Sequence, residues 1–184
     1  MKKVFIWIVF ALLILSLCSC AKKDTDIDNY EEVVQEYKAS AFMPELDEVG
    51  VYENIKYLSR YEHSFFPIDT IQLIVEYDEE NFLKEKERLD TAYTYLDKPQ
   101  LDEANDDFYT IPVERFSTAG FDFRVAVFED SDFPEEFGMV GISEEKREIA
   151  YLWVYSIDLD YICTADADRY EEMCEFVEEN FELE

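Results

Sequence analysis

Four aspartates, Asp158, Asp160, Asp166 and Asp168, crowd around Cys163 near the end of the chain. On a turn between a strand and a helix such carboxylates can converge on a hard cation, and oxygen-only ligands favour Ca²⁺ or Mg²⁺. The competing reading is a polar turn whose aspartates cap the next helix. That helix would carry Glu171, Glu175, Glu178, Glu179 and Glu182 on one side and Tyr170, Met173, Cys174, Val177 and Phe181 on the other. Like charges four apart cost about 0.2–0.5 kcal/mol per pair, and glutamates at the C-terminal end oppose the helix dipole. The stripe is therefore a candidate surface for a basic partner, set against a solvated face whose repulsion is offset by packing of the apolar side.

Other chemistries find less support. Asp24-Thr25-Asp26-Ile27-Asp28 matches the first three ligand positions of an EF-hand loop, but Asn29 replaces the glycine and Gln35 the closing glutamate. Zinc would need more than His63, the single histidine, and there is no cysteine pair at ligand spacing. No nucleophile elbow or phosphate loop occurs, and Gly138-Met139-Val140-Gly141 reads as part of a strand. With 45 acidic residues, a pair at glycosidase separation carries no information by itself. The expectation is no catalytic residue and no resident cofactor, with Ca²⁺ at the aspartate turn as the alternative.

Cys163 and Cys174 are the only cysteines outside the N-terminal segment. They are a candidate disulfide pair if the domain is exported, or two small buried side chains.

The N-terminus decides the compartment. Lys2 and Lys3 precede an apolar run, Val4 to Leu17, of about 14 residues; at roughly 1.5 Å per residue it is too short for a bilayer core of about 30 Å. It reads as a secretory signal. Leu17-Cys18-Ser19-Cys20 resembles the lipobox of bacterial lipoproteins, with an aliphatic residue at −3, a small one at −1 and then the lipidated cysteine. That resemblance implies cleavage before Cys20 and lipid on its thiol. Two or more acyl chains anchor stably where one is marginal, so the protein is expected on a cell membrane, facing outside the cytoplasm. Residues 1–19 would be the signal peptide and residues 20–29 a lipidated cysteine with a polar tether. The remainder is similar in general character to small lipoproteins of Gram-positive anaerobes, a likeness that implies no activity.

Without residues 1–19 the chain has 14 basic and 45 acidic residues, a formal −31 on 165 residues. That field disfavours nucleic acid. Lys22 and Lys23 are placed to meet anionic headgroups. Aromatic and aliphatic residues are abundant and glycines number only four, so residues 30–184 read as one acidic globular domain rather than a disordered tail.

Within it, Tyr30, Val33, Val34, Tyr37 and Ala41 recur at helical spacing, and Pro44 to Gly50 suggests a second short helix. Residues from Ile55 read as a strand, with a helix as the alternative; Thr70 to Tyr77 reads as a second strand paired with it. Asp78 can cap a helix running to Leu96 and stopped by Pro99. Strands are expected at 108–116, 121–129, 137–142 and 147–157, and a last helix from Asp168, which with Glu171 makes a capping pair. The sum is an α+β fold: two layers, a mostly antiparallel sheet of about six strands, helices packed on one face. The function expected is a non-catalytic, lipid-anchored interaction domain for a basic protein, peptide or envelope component. The rivals are a Ca²⁺-dependent structural or sensing domain and an envelope glycan or peptide hydrolase.

Overall fold

Ile71 to Val75 lies in a strand that is buried along most of its length, as is its partner strand near the C-terminus. The computed structural model describes residues 21–62, 67–98, 109–157, 163–164 and 170–183. The two strands are β3 (Ile68–Glu76) and β9 (Glu148–Ser156), paired antiparallel from Ile68↔Ser156 to Glu76↔Glu148. They join two local units. One is the hairpin of β2 (Asn54–Glu62) with β3; the other is the meander of β7 (Phe121–Val127), β8 (Glu136–Ser143) and β9. Outside them lie β1 (Ala21–Asp24) on β2, and both β4 (Thr94–Tyr95) and β6 (Phe116–Thr118) on β7. The eight strands run in the order β1-β2-β3-β9-β8-β7-β4, with β6 also on β7. A separate pair joins β5 (Tyr109–Thr110) to β10 (Cys163–Thr164).

This is the α+β fold with a mainly antiparallel sheet that the sequence predicts. The strand count exceeds six, and the helices do not share one face. Ile71, Leu73 and Val75 pair across the ladder with Trp153, Tyr151 and Ile149, all facing one cluster. Ile74 faces a second cluster with Ala150, Leu152 and Val154. The first is covered by α1 (Tyr30–Glu36), the 3-10 turn Ala39–Ala41 and α2 (Glu79–Ala92), through Tyr30, Val34, Phe42, Phe82 and Leu89. The second is covered by α3 (Glu171–Phe181), through Met173, Phe176, Val177 and Phe181. Three layers result because successive side chains in a strand point to opposite faces: an unbroken apolar run needs cover on both sides.

Three local expectations also change. Residues 21–24 are no tether: they form β1, paired with residues 59–62, because an open sheet edge offers their backbone hydrogen-bond partners. Pro44 to Gly50 is a turn rather than a helix, with Tyr30 donating to the Pro44 carbonyl at 2.6 Å and Tyr77 to the Val49 carbonyl at 3.0 Å. Asp78 does cap α2, accepting from the Asn81 amide at 2.8 Å, but the helix ends at Ala92. Tyr93 is extended, and Thr94–Tyr95 pair with Val127 and Ala126. Aromatic and β-branched residues favour that strand, and through it the chain crosses from the first face, at Leu89, to the second, at Leu96.

Gly138 and Gly141 lie in β8, as expected of that segment. A Cβ at Gly138 would land in the Phe42 ring, and one at Gly141 in the Phe123 ring, so both serve packing on opposite faces of the sheet.

A candidate binding cleft

α1 is cut short at Glu36 because Lys38 takes a left-handed conformation, φ 59°. The turn swings Tyr37 over the first face of the sheet, where β1, β2, β3, β9 and β8 run side by side. Beneath it the register places Lys22 opposite Tyr61, Tyr61 opposite Asp69, Asp69 opposite Tyr155 and Tyr155 opposite Glu136. Directly paired residues point to the same side of a sheet. Five strands therefore contribute one transverse row in which tyrosines alternate with carboxylates, ending on a lysine. Trp153, two residues before Tyr155, stands on the same face.

These residues enclose a cleft of about 590 Å³, with Glu36, Lys38 and Asp132 on its rim. The Tyr37 ring centroid lies 5.8 Å from that of Tyr61 and 6.2 Å from that of Trp153, at interplanar angles of 34° and 31°. The three rings make one continuous aromatic wall. The Trp153 indole donates to Glu136 Oε1 at 3.0 Å, which fixes both groups. Burial first, then the charges of Asp69 and Glu36, hold the Tyr37 hydroxyl well above the ordinary tyrosine range. The Tyr37 ring thus sits in a negative field.

A second polar group lies deeper on the same face. Glu85, almost buried on α2, accepts from Arg88 Nη2 at 2.6 Å and from the Tyr151 hydroxyl at 2.6 Å. Arg88 Nε adds contacts of 2.9 Å to both carboxylate oxygens. This cluster ties α2 to β9, with Glu85 and Tyr151 buried and Arg88 partly exposed.

The sequence-predicted sites fare differently. Glu171, Glu175, Glu178, Glu179 and Glu182 do form an exposed stripe on α3, but on the face of the sheet opposite the cleft. Part of it is engaged internally: Glu182 accepts from Lys23 at 2.6 Å and from Arg60, and Glu178 accepts from Thr118. Arg60 also donates to the Glu179 carbonyl at 3.1 Å, supplying positive charge where the helix end needs it. Lys23, then Arg60, holds the Glu182 carboxyl below its ordinary range. Asp24 and Asp26 of the calcium-like segment accept from local amides instead, Asp26 at 2.9 Å and Asp28 at 3.2 Å. Among the described residues no group of three or more His, Cys, Asp or Glu side chains is arranged to hold a metal. Asp158, Asp160, Asp166, Asp168, Cys20 and the Cys163 side chain lie outside the described residues. Cys174 Sγ lies 3.9 Å from the Ser117 carbonyl.

The cleft itself was not legible in the sequence as a site. Its one local signal is Trp153 and Tyr155 at strand spacing; Tyr61, Asp69 and Glu136 join them only once the register is known.

The fold and cleft together define an α+β domain with an aromatic, carboxylate-rich cleft on one face of its sheet. No family model, curated protein or solved structure matches the chain.

Proposed function

We propose that the chain is a lipid-anchored binding domain facing outside the cytoplasm, with no catalytic role, whose cleft takes a basic protein, peptide or envelope component. The observation that carries this reading is the cleft: a wall of three aromatic rings beside Asp69 and Glu136, in a chain of formal charge −29. Aromatic rings supply contact area at low entropic cost, and carboxylates set the sign of the ligand. The anchor rests on Leu17-Cys18-Ser19-Cys20.

Two measurements test it. Cys20→Ala should abolish metabolic labelling with an acyl-chain analogue and move the protein from the detergent to the aqueous phase on partition; unchanged labelling would remove the anchor from the proposal. For the cleft, a photo-crosslinking residue at Lys38 should give a discrete adduct in intact cells, lost with Tyr155→Ala. The same residue at Glu179 on the opposite face should give none. Equal adducts at both positions, or none at Lys38, would sink the cleft as the binding site.

A further inference from the structure

The cleft has more order than an acidic surface. Asp69 and Glu136 flank Tyr155 in the transverse row, so their backbones stand two strand spacings apart, roughly 10 Å. Each carboxylate has an aromatic side chain as its cross-strand neighbour, an arrangement that attracts a cation through both the ring face and the opposite charge. The wall formed by Tyr61, Tyr37 and Trp153 is continuous, with adjacent centroids 5.8 and 6.2 Å apart, and gives an alkyl chain an apolar surface to lie along.

From this geometry we propose that the cleft recognises alkylammonium groups, and that its preferred ligand carries two of them about 10 Å apart, joined by a chain that lies on the aromatic wall. Four carboxylates against two lysines disfavour an anionic ligand. An ammonium suits the site better than a guanidinium. Both Glu136 oxygens already accept, Oε1 from the Trp153 indole at 3.0 Å and Oε2 from the Asp132 amide at 3.3 Å, so the edge that a bidentate guanidinium fork requires is occupied, whereas a point charge needs only the remaining lone pair of one oxygen. The raised Tyr37 hydroxyl, driven by burial and then by Asp69 and Glu36, marks the same negative field. The proposal rests on the cleft being the ligand site; the chemistry could come from a free polyamine or from lysine side chains of a peptide.

The chain has two tryptophans, Trp7 and Trp153; the proposed cleavage before Cys20 removes Trp7, and Trp7→Phe does the same for any uncleaved protein, so one tryptophan remains, in the cleft wall, and can be excited selectively over the tyrosines. In detergent, spermidine should change its emission saturably, with a midpoint at least tenfold below that of n-butylamine. A short peptide carrying two lysines tests the peptide source: if it outcompetes spermidine the lysine side chain is the natural donor, and if spermidine binds more tightly a free polyamine is. Asp69→Asn should weaken spermidine about tenfold with an unchanged circular dichroism spectrum. Glu136→Gln, which keeps an acceptor for Trp153, should do the same and covers the case in which the first variant fails to fold. MgCl₂ giving the same change at matched ionic strength, or n-butylamine binding as well as spermidine, would overturn the proposal. Saturation by neutral N-acetylglucosamine instead would overturn the ligand class while leaving the cleft a binding site, and the crosslinking at Lys38 decides the latter independently.

Discussion

Removing the arginine from the Glu85–Arg88–Tyr151 cluster should cost more than removing both charged partners together. The Glu85 side chain is 8% exposed and that of Arg88 34%, so the carboxylate depends on its partners while the guanidinium still reaches water. Stripping one partner from a fully buried pair costs about 3–5 kcal/mol, because the other charge stays behind. Since Arg88 is one-third exposed, water can replace part of its contribution, and Arg88→Met should cost about 2–3 kcal/mol. Tyr151→Phe removes one hydrogen bond to a charged acceptor but keeps the ring, and should cost about 1.5 kcal/mol. Glu85→Leu with Arg88→Met leaves no stranded charge, and apolar replacement of buried pairs is often near neutral; the double variant should lie within about 1 kcal/mol of the parent. Urea unfolding followed by circular dichroism measures all four proteins, and for a domain of this size the Arg88→Met melting point should fall by roughly 5–10 °C. A double variant that costs as much as Arg88→Met alone, or more, would refute the reasoning, since it would mean the two side chains act by packing rather than as a charge pair.

High pH should unfold the domain cooperatively. Burial pushes the Tyr30, Tyr77 and Tyr151 hydroxyls above the ordinary tyrosine value of 10.0. The stability this represents is complete below about pH 10 and is lost as pH rises, by up to roughly 4 kcal/mol per pH unit for three groups; absorbance at 295 nm should then show a step coincident with loss of structure rather than a smooth titration. Gly138→Ala should destabilise by about 1–3 kcal/mol through overpacking, measured by thermal unfolding, because Phe42 would have to leave its place over β8. Glu182, whose carboxyl is held low by Lys23 and Arg60, should fasten β1 to α3 above the unfolded glutamate range near pH 4.3 and release it as pH falls. Hydrogen-exchange protection at residues 22–24, taken relative to the intrinsic rate at each pH, should accordingly fall on acidification, in high salt, and in Glu182→Gln at neutral pH; no change in the variant would remove the carboxylate from that role.

Local patterns in the sequence located most of the elements and few of the relations between them. The stretch Thr70 to Val75, rich in β-branched residues, announces a strand, and Asp78 before an apolar periodicity announces a capped helix; both signals lie within a few residues of each other. The helix's true end does not, because Leu96 continues the helical spacing and only the free edge of β7 draws Thr94 and Tyr95 into a strand. Placement of helices on two faces was implicit in the unbroken burial of β3 and β9, a pattern that alternating-strand logic underweights. The acidic stripe on α3 was visible because helical spacing is local. The cleft was not, since its row draws on residues as far apart as Lys22 and Tyr155, and no periodicity within one segment encodes a register across five strands.

That row also bears on how the domain would sit on a membrane. Ala21 is already paired with Glu62, so no free residue separates the sheet edge from Cys20, and one peptide step spans about 3.8 Å. With lipid on Cys20, as proposed, the domain could not stand off on a tether; β1 would be held at the headgroups, where Lys22 and Lys23 favour anionic lipid. Lys23 is drawn instead to Glu182, whereas Lys22 heads the cleft row. The cleft would then start at the bilayer and end at Glu136, four strand spacings or roughly 19 Å away. Ligands would reach it most readily along the membrane surface, where anionic lipids already concentrate cations, and an acidic domain held at that height would draw on this pool.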